Sequence, residues 1–247
     1  MSILPEKSQK NIWIFAASGG IGAAYALAAK NRFPQANLIG FSRNTDCLNL
    51  SLYHSIYSFD LMDIADISQK ISEIEAELFP DYILVATGWL HDSKFQPEKT
   101  FKTLEPEHLM QSYQLNAMGP ILLLQAIFKR VGWKKPIKIG VLSARLGSIS
   151  DNQMGGWYSY RASKAALNML IKNMSIELKS RQSPIILFAI QPGTTDTKLS
   201  APFQKGLPAG QLQNASVTGE LLLELFTKAN ASIQGHLVDW QGTIIAP

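Results

Sequence analysis

The sequence predicts a doubly wound parallel α/β sheet of about seven strands, with helices on both faces. Short apolar runs alternate with helical patterns along the whole chain, as crossover-connected parallel strands require. The first run, 11–17, is continuously apolar and passes straight into Ser18-Gly19-Gly20-Ile21-Gly22 and a helical stretch. The 247 residues suit one such domain, since α/β folds reach ~200–250 residues undivided.

The elements follow in order. Run 11–17 (Asn-Ile-Trp-Ile-Phe-Ala-Ala) is apolar on both faces, as a central parallel strand is. A helix over 23–31 and a second strand at 37–42 come next. A weaker strand covers 53–59, and helix 64–78 follows. Strand four is 81–86, and the apolar helical stretch 104–129 is broken by Gly119-Pro120. Strand five is 137–142, and a long helix runs from 156 past Leu178. Strand six is 185–190. Segment 194–212 carries Pro202, Gly206, Pro208 and Gly210 and reads as a lid, since long loops in compact domains are usually functional. Helix 217–229 and a strand at 235–239 close the domain.

Composition narrows the function. The net charge of +4 is mild, and no Lys/Arg block exceeds two residues. Nucleic acid is therefore not an expected partner. A basic balance does suit a small polyanion. Cys47 is the single cysteine, which excludes a disulfide framework and a Cys-based zinc site. No metal is expected. No apolar run approaches the ~18 residues of a bilayer span, and the stretch 12–17 is too short for a signal segment. A reducing, cytoplasmic setting is the expectation.

Strand, glycine turn and helix together point to dinucleotide binding. The turn lets backbone approach a pyrophosphate, and the helix N-terminus supplies N–H groups and a positive dipole end. About 20 residues on, an acidic side chain would take the ribose 2′-OH of NAD. Ser42-Arg43 stands there instead. The fork of Arg43 can pair with a 2′-phosphate, with the Ser42 hydroxyl beside it. NADP(H) is therefore expected over NAD(H).

Tyr160 and Lys164 are four residues apart, on one face of the long helix. A free phenol titrates near ~10. A neighbouring cation favours the phenolate, so the pair can exchange a proton with a carbonyl or alcohol.

Taken together, the glycine turn, Asn116, a Ser after strand five, Tyr160/Lys164 and Pro192-Gly193 resemble the short-chain dehydrogenase/reductase family over essentially the whole chain. Runs 143–149 (Ser-Ala-Arg-Leu-Gly-Ser-Ile), 155–161 (Gly-Gly-Trp-Tyr-Ser-Tyr-Arg) and 163–168 (Ser-Lys-Ala-Ala-Leu-Asn) resemble its C-factor branch, linked with cell–cell signalling and including carbonyl reductases. The resemblance implies a Rossmann-type fold with a small-molecule carbonyl or alcohol substrate. Tyr160 is implied as acid/base. Lys164 would hold the nicotinamide ribose and depress the Tyr160 pKa, and Asn116 would shape its helix and support a water relay. Ser18, Gly19, Gly20, Ile21 and Gly22 would form the cofactor turn. Asp60 and Leu61 would meet the adenine, and Thr87 and Gly88 would line its ribose side. Pro192, Gly193, Thr195 and Thr197 would hold the carboxamide end. A homodimer or homotetramer, pairing through the helices of Asn116 and Tyr160, is also implied.

Three positions depart from the family pattern. Ala16 replaces the first glycine of the turn, Ala86-Thr87-Gly88 stands where Asn-Ala-Gly is usual after strand four, so that Ala86 replaces the Asn, and Ala144 takes the place of the catalytic serine. Ser143 is the expected stand-in, with Ser148 in reserve. Trp89, Met154, Trp157, Tyr158, Phe203 and Leu207 are expected near the mouth. The Ala144 change and the C-factor likeness also support an alternative, a dinucleotide-binding signalling or sensor protein with little turnover.

Overall fold

The computed structural model describes residues 9–247. Its main sheet has seven parallel strands in the order β3-β2-β1-β4-β5-β6-β9. These are β1 (Asn11–Phe15), β2 (Asn37–Ser42), β3 (Ser55–Ser58), β4 (Tyr82–Val85), β5 (Lys138–Leu142), β6 (Ile186–Gln191) and β9 (Leu237–Asp239). A separate pair, β7 (Thr194–Thr195) and β8 (Leu212–Gln213), closes the base of the 194–212 segment. Helices α1 (Gly20–Arg32), α2 (Ile64–Glu73), α3 (Pro106–Tyr113), α4 (Gly119–Val131), α5 (Tyr158–Ser180) and α6 (Ala215–Lys228) complete the fold.

Every residue of β1 is buried, because helices cover both faces of the sheet. Alternate side chains feed two cores. One holds Trp13, Phe15, Phe41 and Val141 with Leu123 of α4 and Leu167 and Ile171 of α5. The other holds Ile12, Ile14, Phe188 and Ile190 with Tyr25 of α1 and Phe226 of α6. α1 and α6 pack closely at Gly219, where an added Cβ would lie 2.5 Å from the Ala24 backbone.

Two boundaries differ from expectation. β3 shortens to four residues, and α2 stops at Glu73, where Ile74 turns extended and buries its side chain. The stretch 104–129 does break, but at Asn116. Residues Gln114–Met118 form one π-helical turn between α3 and α4. Pro120 is the second residue of α4, directly after the helical residues 114–118, so its missing N–H interrupts the backbone ladder at the π-turn. A π-turn inside a helix often marks a functional position. Among the described residues, no helix is long and apolar enough to cross a membrane.

Candidate active site

The strand order reverses between β1 and β4. In sheets of this kind, ligands lie beyond the carboxyl ends of the strands at that switch point. The glycine turn leaves β1 there, the 86–90 loop leaves β4, and Tyr160 and Lys164 approach from the start of α5.

The turn folds by a local bond from Gly19 N to Ala16 O, 2.9 Å. Ala16 takes φ 61°, a left-handed conformation that favours glycine. A Cβ on Gly22 would come 2.3 Å from Ala16 O, so only glycine lets α1 start this close to β1. Gly19 and Gly20 are exposed at the crevice, and Ile21 is half-buried. Thr197, from the 194–212 segment, lies over Gly20: a Cβ there would meet its Cγ2 at 2.6 Å.

Ser18 and Ser42 join hydroxyls at 2.5 Å, and Ser42 Oγ donates to Asn44 O at 2.9 Å. The Ser42 proton is thereby used inside the protein, not offered to a phosphate as expected. Its partner bond ties the glycine turn to the end of β2. Arg43 is exposed beside it. Asp60 is exposed after β3, while the Leu61 side chain packs inward against Gly119 of α4.

At the end of β4, Thr87 Oγ1 is buried with no hydrogen-bond partner. A buried hydroxyl left unpaired costs free energy, so it marks a place for a ligand group. Gly88 is exposed, and a Cβ on it would lie 3.8 Å from Lys164 Nζ. The exposed turn, the open strand end and the orphaned hydroxyl fit a bound dinucleotide.

Lys164 is almost fully buried, with Nζ donating to Leu142 O at 2.9 Å. Burial pulls its ammonium down to about 7. Nζ is 5.7 Å from the centre of the Tyr160 ring. Burial pushes the Tyr160 phenol up to about 12. The direction is opposite to that expected from the pair, and the reason is desolvation.

Asn116 is spent on the loop after β4. Its Oδ1 accepts from Trp89 N and its Nδ2 donates to Trp89 O, both at 2.7 Å. The remaining amide hydrogen reaches Ser112 and Ser163 hydroxyls at 3.3 and 3.1 Å.

Both candidate serines have partners inside the protein. Ser143 Oγ donates to Asn168 Oδ1 at 2.6 Å, two turns beyond Tyr160 on α5. Ser143 lies opposite Leu142 across the pleat, so its side chain faces the helix. Ser148 Oγ donates to Ala246 O at 2.5 Å. Each hydroxyl is hydrogen-bonded within the protein. Buried Ala144 adds none.

Beyond β6, Pro192 is buried and Gly193 is at φ 84° against Gln213. The Thr195 hydroxyl pairs with Thr218 at 3.0 Å, inside the protein. At the mouth, Trp157 meets Phe203 at 5.0 Å and Tyr160 at 6.2 Å, while His91 meets Phe203 at 5.3 Å. Trp89 turns away, onto His108 and Phe95. Met154 is 89% exposed. Sequence reading missed His91, Glu98 and His108. No periodicity flags them, and only the Pro97-Glu98 pair before α3 hinted at a fixed loop.

The family model for short chain dehydrogenases matches residues 10–207. The chain belongs to this family of oxidoreductases. Within it, the chain is 31% identical over 135 residues to the C-signal of Myxococcus xanthus, covering 55% of this chain and 76% of that protein. It is 26% identical over 192 residues to the benzil reductase ((S)-benzoin forming) of Bacillus subtilis strain 168, covering 76% and 75%. The carbonyl reductase Sniffer of D. melanogaster superposes with a TM-score of 0.82 at 22% identity, over 97% of this chain and 100% of that one. The NADPH-bound carbonyl reductase from chicken fatty liver gives 0.80 at 20% identity, over 96% and 99%. This short-chain dehydrogenase therefore resembles the C-factor and carbonyl reductase branch. Among its described residues, no group of three or more His, Cys, Asp or Glu side chains could hold a metal ion.

Proposed function

We propose that this short-chain dehydrogenase is an NADPH-dependent carbonyl reductase in which Tyr160 donates the proton. One observation carries the reading: buried Lys164 Nζ lies 5.7 Å from the centre of the Tyr160 ring and 3.8 Å from where a Cβ on exposed Gly88, after β4, would be. That is where a nicotinamide ribose and a reacting carbonyl would meet.

A bound NADPH would supply the hydride. The chain's own groups do the rest. The glycine turn and the N-terminus of α1 hold the pyrophosphate. Exposed Arg43 takes the 2′-phosphate by charge-assisted bonds. The Thr87 hydroxyl gains the partner it lacks. Lys164 keeps two ammonium hydrogens beyond its bond to Leu142 O, and these hold ribose hydroxyls. A phenol held at about 12 stays protonated at physiological pH, which suits donation to a carbonyl oxygen. With Ser143 and Ser148 engaged, Tyr160 is the hydroxyl proposed to meet the substrate oxygen.

The substrate class is a flat, apolar or aromatic carbonyl compound. Trp157, Phe203 and His91 offer ring faces and edges beside Tyr160. The benzil reductase relative, named for an aromatic diketone, supports this. The 194–212 segment, carrying Phe203 and Thr197, would close over both ligands.

The test is NADPH oxidation against a panel of ketones, aldehydes and quinones. Tyr160→Phe keeps the ring and removes the proton. It is expected to bind NADPH and lose turnover by at least ~10²-fold, the low end of a general-acid contribution. If wild type and variant are alike on every compound while both bind NADPH, the sensor reading replaces this one.

A further inference from the structure

The helix that carries Tyr160 starts without help from its own sequence. Its N-cap is Trp157, at φ 50° and ψ 44°, with no capping side chain. The first N–H groups of a helix need outside partners. Here they find them in Glu98, on the loop before α3. Trp157 N donates to Glu98 O at 2.5 Å, and Ser159 N donates to Glu98 Oε2 at 3.2 Å. Ser159 Oγ donates to Glu98 Oε1. His108 Nδ1, on α3, lies 3.2 Å from the same Oε1. The Glu98 and His108 side chains are only 2% and 5% exposed. His108 is stacked on Phe95 at 4.8 Å and edge-on to Trp89 at 5.3 Å, which fixes its ring plane.

We propose that Glu98 is a positioning residue for Tyr160, oriented in turn by His108. The clamp grips residues 157 and 159, on either side of Tyr158 and directly before Tyr160. A carboxylate at a helix N-terminus is favoured by the dipole, and these donors satisfy both its oxygens. Holding α5 on the protein does not require it, because Leu167, Ile171 and Leu178 already bury that helix. A buried carboxylate is costly to keep, and an ordinary Ser or Asp cap would start a helix as well. What the clamp adds is a fixed first turn. Ser112 Oγ extends it, bonding Ser159 O at 3.0 Å and Ser163 Oγ at 3.1 Å, and Ser163 reaches Asn116. The turn bearing the phenol is thus locked to the same loop that leaves Gly88, through Trp89 and Asn116.

This inference rests on Tyr160 acting as proton donor, and a double-mutant cycle tests the two separately. Glu98→Gln keeps the shape but turns one acceptor oxygen into a donor facing Ser159 or His108. It is expected to lower kcat about 10- to 100-fold, the scale of a small misplacement of a catalytic group. NADPH affinity, read by cofactor fluorescence, stays within about twofold. In the Tyr160→Phe background, the same change is expected to leave the residual turnover unaltered, because residues acting as a unit are not additive. Losses that multiply in the double variant, or a Glu98→Gln enzyme with wild-type kcat, overturn the inference. If Glu98→Gln does not fold, Ser159→Ala carries the same cycle with one hydroxyl removed. Full loss in Tyr160→Phe with no effect from the clamp sinks this inference alone. Undiminished turnover in Tyr160→Phe sinks the reductase reading beneath it.

Discussion

Ala16→Gly is expected to stabilise the apoprotein. Ala16 sits at φ 61° at the exit of β1. The left-handed region costs an L-residue about 1–2 kcal/mol. Glycine avoids that cost but loses about 0.5–1 kcal/mol more backbone entropy on folding. The balance runs from about zero to about 1.5 kcal/mol in favour of glycine. For a chain of this size each kcal/mol moves Tm by about 2–4 °C, so the rise should be at most about 6 °C. The assay is thermal unfolding by calorimetry without cofactor. Gly22→Ala is the companion. Its Cβ would meet Ala16 O at 2.3 Å, so the turn or α1 must shift and Tm must fall. An Ala16→Gly Tm that is lower would refute the reasoning, because the methyl would then be packed rather than merely tolerated.

Three further outcomes are expected. Thr87→Val removes a buried hydroxyl without a partner, so the apoprotein should gain about 1 kcal/mol while NADPH binding, measured by calorimetry, weakens; weaker folding with unchanged binding would contradict it. Arg43→Ala should cost NADPH about 1–3 kcal/mol of affinity and leave NADH untouched, and equal wild-type affinity for the two cofactors would remove the basis for the preference. Lys164 gives a pH signature. The folded apoprotein releases its proton near 7 and the unfolded chain near 10.5, so unfolding takes up a proton between those values. Stability should therefore rise with pH across that window, and Lys164→Met should flatten the Tm–pH slope between pH 7 and 9 relative to wild type.

The fold could be read because parallel strands buried on both faces are continuous apolar runs, and β1, β2, β4, β5 and β6 all are. The glycine turn and the Tyr160/Lys164 pair were legible as spacings. Hydroxyl directions were not. Ser143, Ser42 and Thr195 each sit close to where expected, yet their partners Asn168, Asn44 and Thr218 decide which way the Oγ atoms point. Those partners follow from packing, which one-dimensional spacing does not contain. The break near Asn116 illustrates the same limit. Gly119-Pro120 marked the break, and the irregularity is a π-turn just ahead of that pair. What spacing did not show is that Asn116, inside the π-turn, clasps the Trp89 backbone. Glu98 and His108 leave no trace in periodicity, because their role exists only once α3 and α5 lie side by side.

The sheet order also sets a timetable. From β1, the sheet grows outward in one direction through β2 to β3, complete by Ser58, and only then in the other through β4, β5, β6 and β9. Each strand joins an edge that already exists. Synthesis runs from the N-terminus and lets early segments order first. The three strands that carry the glycine turn and Arg43 are therefore synthesised in the first quarter of the chain. The reacting half has a later deadline. The loop between β5 and α5 is pinned where Ser148 donates to Ala246 O, and Ile245 N pairs with Leu237 O on β9. The chain thus makes its glycine turn long before it makes the C-terminal strand that pins the loop ahead of Tyr160.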